Sequence, residues 1–169
     1  TPANGATGVF VDAPLAATFS SVAKLGSTGS IKIYNAANPA SPVDTISAAQ
    51  GLVQQRTFPS DGQSFSYTTF ITNGATVTIY PHFSVLAANQ TYYVVIDPGT
   101  FTDVGNTNYI GLSNTNAWRF TTKSAPSNPA NVTVAADGSA DFLTVQGAVN
   151  SIATGTNASQ RVINVRNGV

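Results

Sequence analysis

The chain has 169 residues, a formal net charge of zero, only 8% charged residues and no Cys. Charge this sparse and balanced leaves no electrostatic footprint for nucleic acid or an anionic membrane. The lack of Cys removes both a disulfide framework and a thiolate metal site, and no apolar run approaches the roughly 20 residues that span a bilayer.

All seven acids are Asp. Thr, Ser, Asn, Gly and Ala stand where charges normally would, which favours strands and polar turns over helices. From Thr1 to Lys123 the pattern is short alternating strands. Leu15, Ala17 and Phe19 share a face, as do Ile31 and Ile33, with Lys32 and Tyr34 pointing the other way. Between Ser64 and Pro81 two strand-like runs (Phe65, Tyr67, Ile71; then Val77, Ile79) meet at Asn73-Gly74, which predicts a two-residue type I′ hairpin turn. Thr91–Ile96 and Trp118–Thr122 supply further strands. Leu86 precedes Tyr92 by six residues, a spacing that suits a corner where a Tyr hydroxyl bonds back to the upstream backbone. The expected architecture is an antiparallel β-sandwich of about seven strands, with Phe19, Ile31, Ile33, Trp118 and Phe120 inside.

Pro2-Ala-Asn-Gly-Ala-Thr-Gly-Val9, Leu15-Ala-Ala-Thr-Phe19, Leu86 with Thr91-Tyr92, Asp103-Val-Gly-Asn106 and a closing Trp118-Arg-Phe-Thr-Thr122 follow one another in order. Together they resemble the bacterial Ig-like domains of S-layer proteins and exported enzymes. That resemblance covers residues 1–123, implies a spacer or adhesion module, and brings no shared catalytic residues.

Residues 124–130 (Ser-Ala-Pro-Ser-Asn-Pro-Ala) form a linker by composition, across which few contacts are expected. Beyond it, Val132, Val134 and Ala136 predict a strand near 131–136, and Asp137-Gly138-Ser139 a turn. Val145, Ala148, Val149 and Ile152 make one apolar stripe on a helix near 144–153, which Thr144 or Asp141 caps. A polar loop over 154–160 and a strand near 161–166 follow, then a turn at Asn167-Gly168.

The phrase from Val132 through Asp137-Gly-Ser-Ala-Asp-Phe-Leu-Thr-Val-Gln146 to Val149, with Ile152 and then Arg161-Val-Ile-Asn-Val-Arg-Asn-Gly-Val169, resembles the opening of pectinesterases. The resemblance implies that residues 131–169 are the strand–helix–strand start of a right-handed parallel β-helix, capped at its open end by the short helix. It also implies hydrolysis of methyl esters in homogalacturonan without a cofactor. The family's two Asp carboxylates, orienting Arg and Gln donors follow the matched segment, so no position here inherits a catalytic role. Gly147 and Asn167 depart from the family's commoner choices.

The remaining candidates are weighed on their own chemistry. Asp137 and Asp141 read either as an acid/base pair or as turn and cap residues, and Asp-Gly and helix-entry positions favour the second. His82, the only His, has no acid near it in sequence and reads as an edge or loop residue rather than a triad or metal ligand. Asp103-Val-Gly-Asn106 reads as a β-turn before a Ca²⁺ loop, since Ca²⁺ recruits more carboxylates. Tyr34, Tyr80 and Tyr93, with Phe101 and Tyr109 behind them, are candidates for stacking on sugar rings where they are exposed. The function expected is thus an accessory region of a secreted pectinesterase, with pectin or another cell-wall polysaccharide as partner. A carbohydrate-binding module and an adhesive surface protein are the alternatives. Asn89, Asn131 and Asn157 begin N-x-S/T sequons of the kind that chance supplies in an Asn- and Thr-rich chain.

Overall fold

The structure, a computed structural model, describes residues 1–57, 64–152, 155, 156 and 158–166. The Asn157 sequon and the Asn167-Gly168 turn lie outside the described residues.

Two sheets face each other. One runs β1 (Ala6–Val9), β12 (Arg119–Thr122), β10 (Thr91–Ile96), β4 (Ser30–Asn35), β5 (Asp44–Ser47). The other runs β2 (Leu15–Thr18), β9 (Thr76–Ile79), β8 (Phe70–Asn73). All pairings in these sheets are antiparallel except β1 with β12, which run parallel, Ala6 opposite Phe120 and Val9 opposite Thr122. Two small ribbons complete the sandwich: β3 (Lys24–Leu25) with β11 (Phe101–Thr102), and β6 (Val53–Thr57) with β7 (Ser64–Thr68).

Strand alternation fills the space between the sheets. Ile31, Ile33, Ile46, Tyr92, Val94 and Phe120 come from the first sheet; Leu15, Phe70, Val77 and Ile79 come from the second. Each is almost fully buried, which favours the folded state by about 1.5–3 kcal/mol for a large aliphatic or aromatic side chain. Trp118 is buried as expected, and Phe19 is half-buried at the rim, where its ring lies 5.2 Å from Phe101 and 4.5 Å from Tyr109. The Tyr92 corner forms: its hydroxyl accepts the Ala87 N–H at 2.8 Å.

Two local expectations shift. The hairpin between β8 and β9 has a two-residue turn, but Asn73 pairs with Thr76, so the central residues are Gly74 and Ala75. Only Gly74 has positive φ there, at 57°, which matches the primed turn with Gly first rather than the Asn-Gly form. The run from Phe65 to Ile71 is also two strands. It breaks at Thr69, whose N–H and hydroxyl both donate to Leu52 O. The break reverses the phase, so Phe70 is buried and Ile71 is exposed.

The tail is a strand–helix–strand unit. β13 (Asn131–Val134) pairs in parallel with β14 (Val162–Val165), and α1 (Val145–Ser151) crosses between them. β13 ends at Val134 and Ala135 is buried, so Ala136 falls outside the expected strand face. Thr144 caps α1, its hydroxyl accepting the Gly147 N–H at 2.9 Å. The helical stripe is covered on one side only. Ala148 is fully buried and Ile152 packs beside it, whereas Val145 and Val149 remain about half exposed, at 47% and 52%.

Candidate functional site

The tail does not hang from the linker; it docks on the sandwich. Asp12 leaves the turn after β1, and its Oδ2 accepts from Leu143 N (3.0 Å), Thr144 N (2.8 Å) and the Thr144 hydroxyl (2.9 Å). A carboxylate thus reaches across from the sandwich to the unsatisfied donors at the start of α1. Gly147 explains its own presence: a Cβ there would lie 2.3–2.6 Å from the Asp12 side chain. A residue that costs helix propensity of about 1 kcal/mol is what allows the carboxylate to approach.

Further links surround this one. Lys123 Nζ donates to Ala140 O at 2.6 Å and lies 4.6 Å from the Phe10 ring centre. The Ser84 hydroxyl donates to Asn150 O at 3.0 Å. Val11 packs against the sandwich core and also against the small tail core of Val132, Val134, Phe142 and Ala148. The expectation of few contacts between the two parts is therefore corrected. Asp12 and Leu143 lie far apart in the chain, and no local pattern connects them.

This docking leaves a cleft of about 490 Å³ between sandwich and helix. Tyr67, Tyr80, His82 and Phe83 line it from the sandwich; Gln146, Asn150 and Ser151 line it from α1. His82 is not the isolated loop residue its sequence neighbourhood suggests. Its Nδ1 lies 2.5 Å from Asp44 Oδ1, and its backbone N–H donates to Asp44 Oδ2 at 2.8 Å. Both side chains are largely buried. Asp44 comes from β5, so the pair ties the segment after β9 to the opposite sheet. The nearby Ser84 hydroxyl is engaged by the Asn150 carbonyl. The arrangement anchors a loop and fixes the imidazole at the cleft wall.

The three tyrosines singled out from sequence are not brought together. Tyr34 and Tyr93 stack on each other on the outer face of the larger sheet, 5.0 Å apart and 8° from parallel. Arg119 lies 5.8 Å from the Tyr93 ring centre, and Tyr93 is only 8% exposed. Tyr80 stands apart at the cleft and is 36% exposed. Of the secondary candidates, Phe101 is core, and the Tyr109 hydroxyl lies 2.9 Å from that of Ser21. Tyr67 and Phe83, which the sequence reading passed over, complete the cleft's aromatic side. Their signal was weak, because β7 and the loop after Pro81 meet only in three dimensions.

The acids have structural partners. Asp141 Oδ2 accepts from the Thr133 N–H and hydroxyl at 2.9 and 2.8 Å, binding the helix entry to β13 rather than capping α1. Asp137 closes the turn by accepting the Ser139 N–H at 2.9 Å. The Ser139 backbone and then its side chain, with Arg166 nearby, hold the Asp137 carboxyl below its ordinary range. Asp103-Val-Gly-Asn106 is a turn closed by Asn106 N–H to Asp103 O at 3.1 Å. The Lys24 ammonium binds Val104 O and Asn106 Oδ1 there at 3.1 and 2.9 Å. Among the described residues no group of three or more His, Asp, Glu or Cys side chains is gathered as for a metal ion. None of their helices is long and apolar enough to cross a membrane.

The chain matches no curated protein and no solved structure. A family model described as a bacterial Ig-like domain matches residues 1–122, and domains of this kind occur in extracellular bacterial proteins. With the facing sheets and the Tyr92 corner already in view, the chain belongs to the bacterial Ig-like domain family.

Proposed function

We propose that this chain is the non-catalytic N-terminal region of an exported pectinesterase, its Ig-like sandwich fixing the orientation of the β-helix that begins at Asn131. The observation that carries this reading is the order of residues from Val132 to Gln146, where a turn, the buried Phe142 and a capped helix start follow one another. The parallel pairing of β13 with β14 supports it, since a β-helix coil pairs its strands in that sense. In this reading the parent protein cleaves methyl-esterified homogalacturonan with one water per ester, giving carboxylate, a proton and methanol. An activated nucleophile, a proton carrier and an oxyanion donor are all required for that step. Asp12, Asp44, Asp103, Asp137 and Asp141 are committed to the helix start, the His82 pair, two turns and the Thr133 hydrogen bonds. Methanol release from esterified pectin is the test. The 169-residue chain should release none, and the same chain continued through its downstream sequence should release it; turnover by the 169-residue chain alone would sink the assignment.

A further inference from the structure

We infer that the cleft between the sandwich and α1 is a binding site for a neutral sugar ring of a polysaccharide chain. The idea rests on the wall-polysaccharide part of the proposed function and not on the esterase chemistry.

The two walls of the cleft differ in kind. On the sandwich side Tyr67 and Phe83 lie 5.7 Å apart, the His82 ring stands edge-on to Tyr67, and the partly exposed Tyr80 extends the surface. On the helix side stand the polar residues Gln146, Asn150 and Ser151. A pyranose has the same two-sided character, with a C–H face that stacks on aromatic rings and a girdle of hydroxyls that bonds to amides.

Electrostatics select the neutral form. Asp12 lines the cleft, but its Oδ2 already accepts three hydrogen bonds, and His82 Nδ1 is held by Asp44. Among the described residues neither Lys nor Arg lines the cleft, so there a ligand carboxylate would meet Asp12 with no cation to offset it. The Asn150 Oδ1 accepts from Gln146 Nε2 at 2.9 Å, which holds the two side chains in a fixed arrangement.

Calorimetry and NMR titration of the 169-residue chain decide the matter, with methyl-esterified oligogalacturonides, their de-esterified counterparts and neutral gluco-oligosaccharides as probes. The expected result is binding of the esterified probe at least about tenfold tighter than of the acid form, with shift changes at Tyr80, Gln146 and Asn150. Tyr80→Ala and Gln146→Ala should each weaken binding about tenfold while circular dichroism stays native. Tyr34→Ala, on the outer sheet face, should leave binding unchanged. Binding of the gluco-oligosaccharides alone at the same residues would keep the cleft and count against pectin. Binding of no neutral probe, a preference for the acid form, or indifference to Tyr80→Ala would overturn the inference.

Discussion

The sandwich closes its own core from two facing sheets, whereas the tail has Val132, Val134, Phe142 and Ala148, with Ile152 and Ile163 packed beside them, and takes in Val11 of its neighbour as well. Val145, Val149, Val162 and Val165 of the tail stay exposed, whereas the inner faces of the large sandwich strands are covered. A short strand–helix–strand unit buries too little surface to offset the entropy of ordering it, so its order is borrowed through Asp12, Ser84 and Lys123. The two regions thus form a host and a dependant. Loss of the host should take the dependant with it, while loss of the dependant should leave the host intact.

Paired core truncations test that asymmetry most strongly. Phe120→Ala should cost about 3–5 kcal/mol and abolish amide protection in sandwich and tail together. Phe142→Ala should expose only the tail amides, leaving slow exchange in β4 and β10. Equal loss in both regions after Phe142→Ala would remove the hierarchy.

The clamp itself offers a sharper instrument. Asp12→Ala removes three accepted bonds and should lower tail protection by about 1–2 kcal/mol, the range of a lost helix cap, with little change in the sandwich. Gly147→Ala would ordinarily stabilise a helix by about 1 kcal/mol. Here it should destabilise the tail in the native background, and Asp12→Gly, which removes the Cβ as well as the carboxylate, should relieve that cost. A double-mutant cycle of Gly147→Ala with Asp12→Gly by hydrogen exchange reads this coupling, and additive effects would refute the clamp.

The smallest expected effect belongs to the sandwich surface. Lys32 bonds both oxygens of Asp97, at 3.0 and 2.7 Å, and this pairing raises its pKa from 10.5. A raised ammonium pKa gives stability that is fully present below the unfolded pKa and is lost as pH rises through the folded value. Both groups are partly exposed, so the contribution is under about 1 kcal/mol. Asp97→Asn should flatten that alkaline slope in sandwich melting and leave tail protection unchanged.

Legibility in the sequence followed the range of the interaction. The Tyr92 corner, the Thr144 cap and the alternation in Ile31-Lys-Ile33 were readable because their partners lie within a few residues. The turn at Gly74-Ala75 slipped by one residue because Asn-Gly and Gly-Ala both tolerate a primed turn, and cross-strand register decides between them. The helical stripe was half right, because periodicity places Val145 and Val149 on a face but does not supply what covers it. Asp44 with His82 and Asp12 with α1 were invisible, since chain topology alone makes them neighbours. The cleft inherits that invisibility, because its walls come from segments that no local pattern relates.

The parallel pairing of β1 with β12 has a mechanical meaning. These are the first and last strands of the sandwich, and Gly5 N–H to Arg119 O and Lys123 N–H to Val9 O bracket their register at 2.8 and 2.7 Å. A pull on the two ends of the sandwich draws these strands along their length in opposite directions. Tension then falls on several hydrogen bonds together, as shear, instead of opening them one after another like a zip. A body tethered to a surface at one end and loaded by flow or by an attached partner at the other therefore meets the force with its terminal strands locked.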